Sequence, residues 1–310
     1  MATPSIATPL VELPRRRMSL RDTWDLGDGF APYLLVLPTL LVILSVAAYP
    51  IINSLWFSLL NNPLSPSASF VGLQNFIQLL GDSTFRTSIG TTFTFTSISV
   101  ILETLFGLGI ALLINGTFPG RGLVRASILV PWAFPTIISA QIWYLMYNDR
   151  TGIVSYILQQ WHLLPPGGTL LESRAGIITA STITDVWKTT PFMALLILAG
   201  LQVIPNELHE AASVDGSSRW QQFWTITLPM LSRPLIIALL FRTLAAMGIF
   251  DLLYIFGGNQ VQSIASYSYN YMFTRSTFDF ASGVAAAMGL FVAEVVISLL
   301  FLLLIRITQR

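Results

Sequence analysis

The chain has no cysteine, which excludes disulfides, thiolate metal sites and cysteine nucleophiles. Histidine occurs only at His162 and His209, far apart in the sequence, so a histidine-held metal is not expected. Charge is scarce too. Only 10% of the residues are Asp, Glu, Lys or Arg, against roughly 25% in an ordinary soluble domain. The net charge of +1 leaves no basic field for nucleic acid. A phosphate loop of the Gly-x4-Gly-Lys-Ser/Thr kind is also missing, so no nucleotide or other cofactor is expected on this chain. What is abundant is hydrocarbon, at 54% of residues. A soluble globule is excluded.

A bilayer crossing takes about 20 predominantly apolar residues. The segments 32–58, 88–114, 123–147, 175–203, 231–256 and 283–306 meet that requirement, so the expected fold is an all-α membrane protein with six transmembrane helices. Residues 1–30 are too polar to join them and are expected to form a cytoplasmic tail, with Thr23-Trp24-Asp25 at the interface; residues 31–310 form the transmembrane domain. The apolar run after Arg15-Arg16-Arg17 is of span length and lacks a small-residue cleavage site, which predicts an uncleaved anchor rather than a signal peptide. Orientation follows from the cations. With the amino terminus inside, Arg15, Arg16, Arg17, Arg21, Arg121, Arg125, Arg219, Arg233, Arg306 and Arg310 flank the cytoplasmic face, and only Arg86, Arg150, Arg174 and Arg275 lie outside. Both termini are therefore expected in the cytoplasm. The outside loops 61–69, 162–168 and 257–263 are rich in turn residues.

Residues 205–229 connect the fourth and fifth spans. Pro205 can open a helix, because proline in the first turn loses no needed hydrogen bond. Leu208, Ala211 and Ala212 share one face, and Glu207 and Glu210 sit near the positive end of the macrodipole. Gly216 can end that helix in a left-handed conformation. Ser218 and Gln221 then fit a capping box for a second helix, along which Trp220, Phe223, Trp224 and Thr227 follow at helical spacing. Pattern alone leaves two readings open: an amphipathic connector resting on lipid headgroups, or a docking knob for a soluble partner.

The run Glu210-Ala211-Ala212, three residues, Gly216, nine residues, Ile226-Thr227-Leu228-Pro229 resembles the EAA signature of permease subunits in binding-protein-dependent ABC importers. Around it, DVWKTTPFMALLILAGLQVIP at 185–205 and LLFRTLAAMGIFD at 239–251 are similar to the maltose/trehalose-type sugar permeases, of the larger-partner kind that carries the substrate contacts. The resemblance extends from the first span to the last and is strongest over 123–256. It implies the type I ABC importer permease fold in a bacterial cytoplasmic membrane. It also implies a second homologous permease forming a heterodimer, two ATPase subunits holding ATP and Mg, and an extracytoplasmic sugar-binding protein. The 205–229 loop would be the coupling helix seated in a groove of the ATPase. Glu210 would pair with a basic group there, Ala211 and Ala212 would permit close approach, and Gly216 would turn the chain; Asp215, Leu228 and Pro229 complete the coupling set.

Glu103, Asp185, Lys188, Arg242, Asp251 and Glu294 lie within or at the edge of spans. A charge at the bilayer centre costs about 2.5–3.5 kcal/mol on insertion scales, so each needs a partner or a water-filled cavity. Asp185 and Lys188, three residues apart on one helix, can neutralise one another. Thr189, Thr190, Pro191 and Phe192 follow, and Pro191 frees a backbone carbonyl, which predicts a broken helix near mid-membrane. For Asp185, Lys188 and Arg242 a cavity-lining role and a purely structural pairing both stay open. Glu103 and Glu294 have no neutralising neighbour in sequence, and Arg242 is a candidate partner across the bundle. Pro38, Pro50, Pro131 and Pro135 mark kinks.

In the maltose-type permeases, polar and aromatic residues on the spans before and after the coupling helix bind the sugar. The resemblance puts Asp185, Lys188, Thr189 and Phe192 at those positions on one span, and Arg242, Ala245, Ala246 and Ile249 on the other. This chain departs from the maltose pattern, with charge at Asp185, Lys188 and Arg242 where that pattern is neutral. Ala245, Ala246 and Ile249 also lack an aromatic and two amides. Trp132, Trp143, Tyr144 and Tyr147 are candidates either for covering pyranose faces or for an interfacial belt. The cargo implied is an oligosaccharide or glycoside, a trehalose- or maltose-like α-glucoside first, then glucosylglycerol, sucrose and glycerol phosphates; Lys188 and Arg242 would suit a phosphate equally. An ion-coupled carrier is the alternative, but it favours a longer chain with inverted repeats and leaves the 205–229 loop without a purpose. An intramembrane enzyme needs a nucleophile with its base or a metal cluster, and the sequence brings neither together.

Overall fold

A computed structural model describes residues 31–274 and 278–308. The tail at 1–30, with Arg15, Arg16, Arg17, Arg21 and the Thr23-Trp24-Asp25 stretch, lies outside the described residues, as do Arg275 and Arg310. The described chain is helical, with no strand in it beyond a single antiparallel bridge between Leu60 and Phe70. It divides into two compact units, residues 1–53 and 54–310.

From the first unit, α1 (Ala31–Ile43) passes through a π turn at Leu44–Ala48 into α2 (Tyr49–Ser58), whose residues from Ser54 on belong to the second. Pro50 has no N–H for the carbonyl of Val46 four residues back, and the π turn surrounds that orphaned carbonyl. A second π turn, Phe223–Thr227, precedes Pro229 for the same reason.

The second unit is organised around α4 (Ser83–Asn115), α9 (Arg174–Leu201) and α12 (Leu228–Met247), which pack on one another. At 33 residues, α4 is about 50 Å long and overshoots a hydrocarbon core of about 30 Å. Small residues set the crossings. A Cβ on Gly107 would meet Met193 Cγ at 3.1 Å, so α4 and α9 approach closely there, and a Cβ on Gly200 would meet Pro234 Cβ at 2.6 Å where α9 crosses α12.

Outside the bundle, α3 (Gln74–Gly81) runs into the cap of α4 at Asp82. The Asp82 carboxylate accepts from the Thr84 N–H at 2.7 Å, the Tyr267 hydroxyl at 2.7 Å and the Tyr271 hydroxyl at 3.3 Å. Burial pushes this carboxyl up, but the hydrogen bonds from Tyr267, Thr84, Tyr271 and Phe85 together outweigh it and hold Asp82 below the usual carboxylate value. The same contact, after burial, raises the Tyr267 phenol above its ordinary range.

The span expectations are met in part. Among the described residues, the helices Tyr33–Ser58, Ser83–Asn115, Arg219–Gly257 and Phe280–Ile307 are long and apolar enough to cross a membrane, and Arg174–Leu201 joins them as a pair bent by 69° against Asn206–Val214. The sixth expected span, 123–147, is instead α5 (Arg121–Ile128), α6 (Val130–Ala133) and α7 (Thr136–Met146). Pro131 and Pro135 account for this, since the residue before Pro135, Phe134, is forced into extended backbone. The break expected at Pro191 does not occur, and α9 runs unbroken through it. The chain breaks instead at Gly248–Phe250, between α12 and α13 (Asp251–Gly257).

Beyond α7, α8 (Ile153–Gln160) is tied down by the Ser155 hydroxyl, which donates to the Tyr147 carbonyl at 2.7 Å. A buried helix, α14 (Ile264–Phe273), follows the 257–263 turn, capped by a Ser263/Ser266 capping box and held to α4 by the Ile264 N–H donating to Thr92 Oγ1 at 2.9 Å. Helix α15 (Phe280–Thr308) packs on α14 and α12.

Candidate functional site

Two constellations stand out, one among the apolar helices and one on the polar loop. The first joins α4, α9 and α12. Arg242, 5% exposed, donates from Nε and Nη2 to the Glu103 carboxylate, the Nη2 contact being 2.8 Å, and from Nη2 to Asp185 Oδ2. Glu103 is fully enclosed. Its Oε1 also lies 2.6 Å from the Thr189 hydroxyl, which sits 2.7 Å from the Asp185 carbonyl. One cation thus binds two carboxylates from different helices, which is how charge is tolerated where water is excluded. The same-helix pairing expected between Asp185 and Lys188 is not formed, because Asp185 is taken by Arg242. Lys188 is buried, with Asp185 and Asp251 as its electrostatic neighbours of opposite sign. Of the two glutamates without a neighbour in sequence, Glu103 meets Arg242; Glu294 is half-buried near Gly248.

The remaining residues separate by depth. Phe192 stacks on Trp132, centroids 5.2 Å apart and planes within 8°. Ala245 is exposed, whereas Ala246 and Ile249 are packed in the core with Leu252 and Phe256. Tyr147 is also core, its hydroxyl 3.3 Å from the Ala180 carbonyl. Trp143 packs on Tyr147 and edge-on to Trp187, and Tyr144 is exposed.

The second constellation follows from local sequence chemistry. Helix α10 (Asn206–Val214) ends at Asp215, Gly216 adopts φ 81° and Ser218 starts α11 (Arg219–Gln222). The capping box is formed in full: the Ser218 N–H donates to Gln221 Oε1 at 2.8 Å and the Gln221 N–H to Ser218 Oγ at 3.3 Å. Gln222, which sequence reading did not single out, ties the two helices into one body. Its amide donates to Ser213 Oγ at 3.0 Å and to the Ser217 carbonyl at 3.1 Å, and its Oε1 is 3.2 Å from His209 Nδ1. Glu210, Ala211, Asp215, Gly216 and Pro229 are exposed, and Ala212 and Leu228 half-buried. Glu210 lines an open groove of about 930 Å³ together with His209, Ser213, Trp220 and Phe223.

The family profile described as binding-protein-dependent transport system inner membrane component matches residues 103–310, which include both constellations. The chain belongs to that family. Such a component resides in the inner membrane and works with an ATPase and a binding protein. Within the family, the chain is 40% identical over 277 residues to the trehalose/maltose transport system permease protein MalF of Thermococcus litoralis, covering 87% of this chain and 92% of the relative. The trehalose transport system permease protein SugA of Mycobacterium tuberculosis is 36% identical over 274 residues, with 87% of each chain covered. The sulfoquinovosyl glycerol transport system permease protein SmoG of Agrobacterium fabrum is 32% identical over 302 residues, covering 96% of this chain and 97% of its own. Among solved structures, a chain of a bacterial ABC transporter involved in the import of the acidic polysaccharide alginate superposes with a TM-score of 0.75 at 22% identity over 89% of this chain and 94% of its own, and so shares the fold.

Proposed function

We propose that this inner membrane component is the larger permease subunit of an ATP-driven ABC importer that carries a trehalose- or maltose-like α-glucoside into the cytoplasm. It pairs with a second, homologous permease as a heterodimer. Two ATPase subunits bind ATP and Mg and hydrolyse the nucleotide, and an extracytoplasmic sugar-binding protein delivers the cargo. Both termini are cytoplasmic, which puts the 205–229 loop on the ATPase side. The relatives named for trehalose and maltose support the cargo class.

The observation that carries the proposal is the rigid two-helix body at 206–227. A movement of the ATPase pair reaches the spans only through something that does not bend. Gly216 sets the angle between α10 and α11, the capping box fixes the start of α11, and Gln222 bolts α11 back to α10. The polypeptide continues from this body through the Phe223–Thr227 turn directly into α12, the helix that bears Arg242. Displacement of the loop therefore levers α12 against α4 and α9, where the charged cluster sits. Glu210 seats in the ATPase by a charge-assisted hydrogen bond, and Asp185, Lys188, Thr189, Phe192, Arg242 and Ala245 line the sugar path.

Glu210→Lys tests the coupling role. Transport and ATPase assembly are expected to be lost while membrane insertion persists. An importer carrying Glu210→Lys that co-purifies with its ATPase and transports at the normal rate contradicts the proposal.

A further inference from the structure

Arg121 and Arg125 belong to neither constellation. They stand one turn apart on α5, and both are half-buried. Each is held by a carbonyl at the end of α4: Arg125 donates from Nη2 to the Ile114 carbonyl at 3.1 Å, and Arg121 from Nη1 to the Gly116 carbonyl at 3.4 Å. The negative end of the α4 macrodipole favours that placement. A guanidinium carries five N–H donors, so these contacts leave most of them unspent. Arg125 Nε is enclosed and out of reach, but Arg125 Nη1 and Arg121 Nη2 are neither bonded nor enclosed. Among the described residues no carboxylate lies within ion-pair distance of either arginine. Two like charges one turn apart repel, and no described side chain offsets that repulsion. An anion placed between them would.

The position of the pair limits which anion that is. Ile128 of α5 packs on the cluster of Ile114, Leu201, Ile204 and Leu231, which gathers the ends of α4, α9 and α12 on the side of the 206–227 body. The apolar run of α4 stops there, at Ile114, with Asn115 next. The arginines therefore sit at the edge of the hydrocarbon, where headgroups begin. Phe118 and Leu123, 38% and 75% exposed, put apolar surface beside them, and basic with apolar residues is the composition of a segment lying in the interface. A carboxylate of the ATPase fits less well. The 206–227 body presents Glu207, Glu210 and Asp215, so the surface that receives it is basic and repels a second basic group.

We infer that Arg121 and Arg125 form a binding site for the phosphate headgroup of an anionic phospholipid in the leaflet that faces the ATPase. Such a leaflet carries negative charge and draws basic groups to its surface. The lipid fixes the end of α4 to the bilayer. This rests on the proposed orientation and importer function, and it supplies what a lever needs: α4 stays in place while the loop moves α12 against it.

The complete importer, purified in detergent with its ATPase subunits, is titrated with phosphatidylglycerol or phosphatidylcholine, and retained lipid is counted by native mass spectrometry. ATP hydrolysis stimulated by the sugar-loaded binding protein is then compared in vesicles of phosphatidylcholine alone and of the two lipids in equal parts. Each arginine is expected to contribute about fivefold to phosphatidylglycerol affinity, so Arg121→Gln/Arg125→Gln weakens retention by about 30-fold. Arg121→Lys/Arg125→Lys is expected to keep most of it, and phosphatidylglycerol to stimulate hydrolysis by wild type more than by the Gln double variant. The inference is overturned if wild type holds phosphatidylcholine as tightly as phosphatidylglycerol, a comparison that needs no variant to fold. It is overturned equally if the Gln double variant retains phosphatidylglycerol as wild type does or responds to it as strongly in vesicles, or if inorganic phosphate displaces the lipid and so marks a site for the free ion. Loss of the ATPase from that variant in detergent and in both vesicles alike would assign the arginines to that partner and overturn it too. Uptake by the wild-type complex without ATP would instead strike at the importer function itself, which separates the two failures.

Discussion

Removal of Arg242 breaks the buried ion cluster at its only cation in contact with both carboxylates among the described residues. The guanidinium holds a fully enclosed glutamate and an aspartate that is 5% exposed, from two other helices. Arg242→Ala leaves both carboxylates buried without their cation, and breaking such a pair costs about 3–5 kcal/mol. At about 2–4 °C per kcal/mol for a chain of this order of size, the melting point falls by roughly 6–20 °C. The control is the triple variant Glu103→Gln/Asp185→Asn/Arg242→Met. It removes all three charges of this Glu103–Arg242–Asp185 triad at once and is expected to be near wild type or more stable, because desolvating the ions offsets most of their attraction. Thermal stability is read as the surviving monodisperse peak after heating the detergent-solubilised importer. If Arg242→Ala melts within about 2 °C of wild type, less than 1 kcal/mol has been lost and the triad does not hold the three helices together.

Three smaller changes probe the lever and its surroundings. Gly216 sits at φ 81°, so Gly216→Ala strains the loop by about 1–2 kcal/mol and is expected to uncouple ATP hydrolysis from uptake, read as a lower ratio of sugar transported to ATP consumed. Gly200→Ala would set a Cβ 2.6 Å from Pro234 Cβ; such overpacking costs typically 1–3 kcal/mol, roughly 2–12 °C of melting temperature, and an unchanged melting point would refute that crossing. Asp82 has a folded pKa below its unfolded value, about 3.9, because its hydrogen bonds outweigh burial. Its stabilisation is therefore full above the unfolded value and lost as pH falls through the folded one. Asp82→Asn is expected to show a flatter acid limb in a melting-point series, and identical limbs would count against it.

What was legible in the sequence was what is local. Gly216, the Ser218/Gln221 box and the Pro205 start specify the loop from neighbouring residues, and the structure forms each as expected. The long apolar helices were legible because 20 or so apolar residues carry their own signal. Of the charged cluster, the sequence offered Arg242 as a candidate partner for Glu103 or Glu294, and only packing across 139 residues selects Glu103. The near neighbours Asp185 and Lys188 suggested a pair that the more distant arginine pre-empts. Proline gave a mixed signal. Pro131 and Pro135 divide a span, while Pro191 and Pro234 sit inside continuous helices, because neighbouring helices and side chains compensate one missing hydrogen bond more readily than two in close succession. Helix α14 escaped notice because its buried face is made of Ser266, Ser268 and Asn270 as much as of apolar residues.

The central claim is that a stiff cytoplasmic body on this chain transmits force generated elsewhere. The most direct measurement is sugar uptake into proteoliposomes holding the permease pair and the binding protein, with and without the ATPase subunits and ATP. The account predicts uptake only when both are present, and none when Glu210→Lys unseats the ATPase. Full-rate uptake by the permeases alone would contradict it.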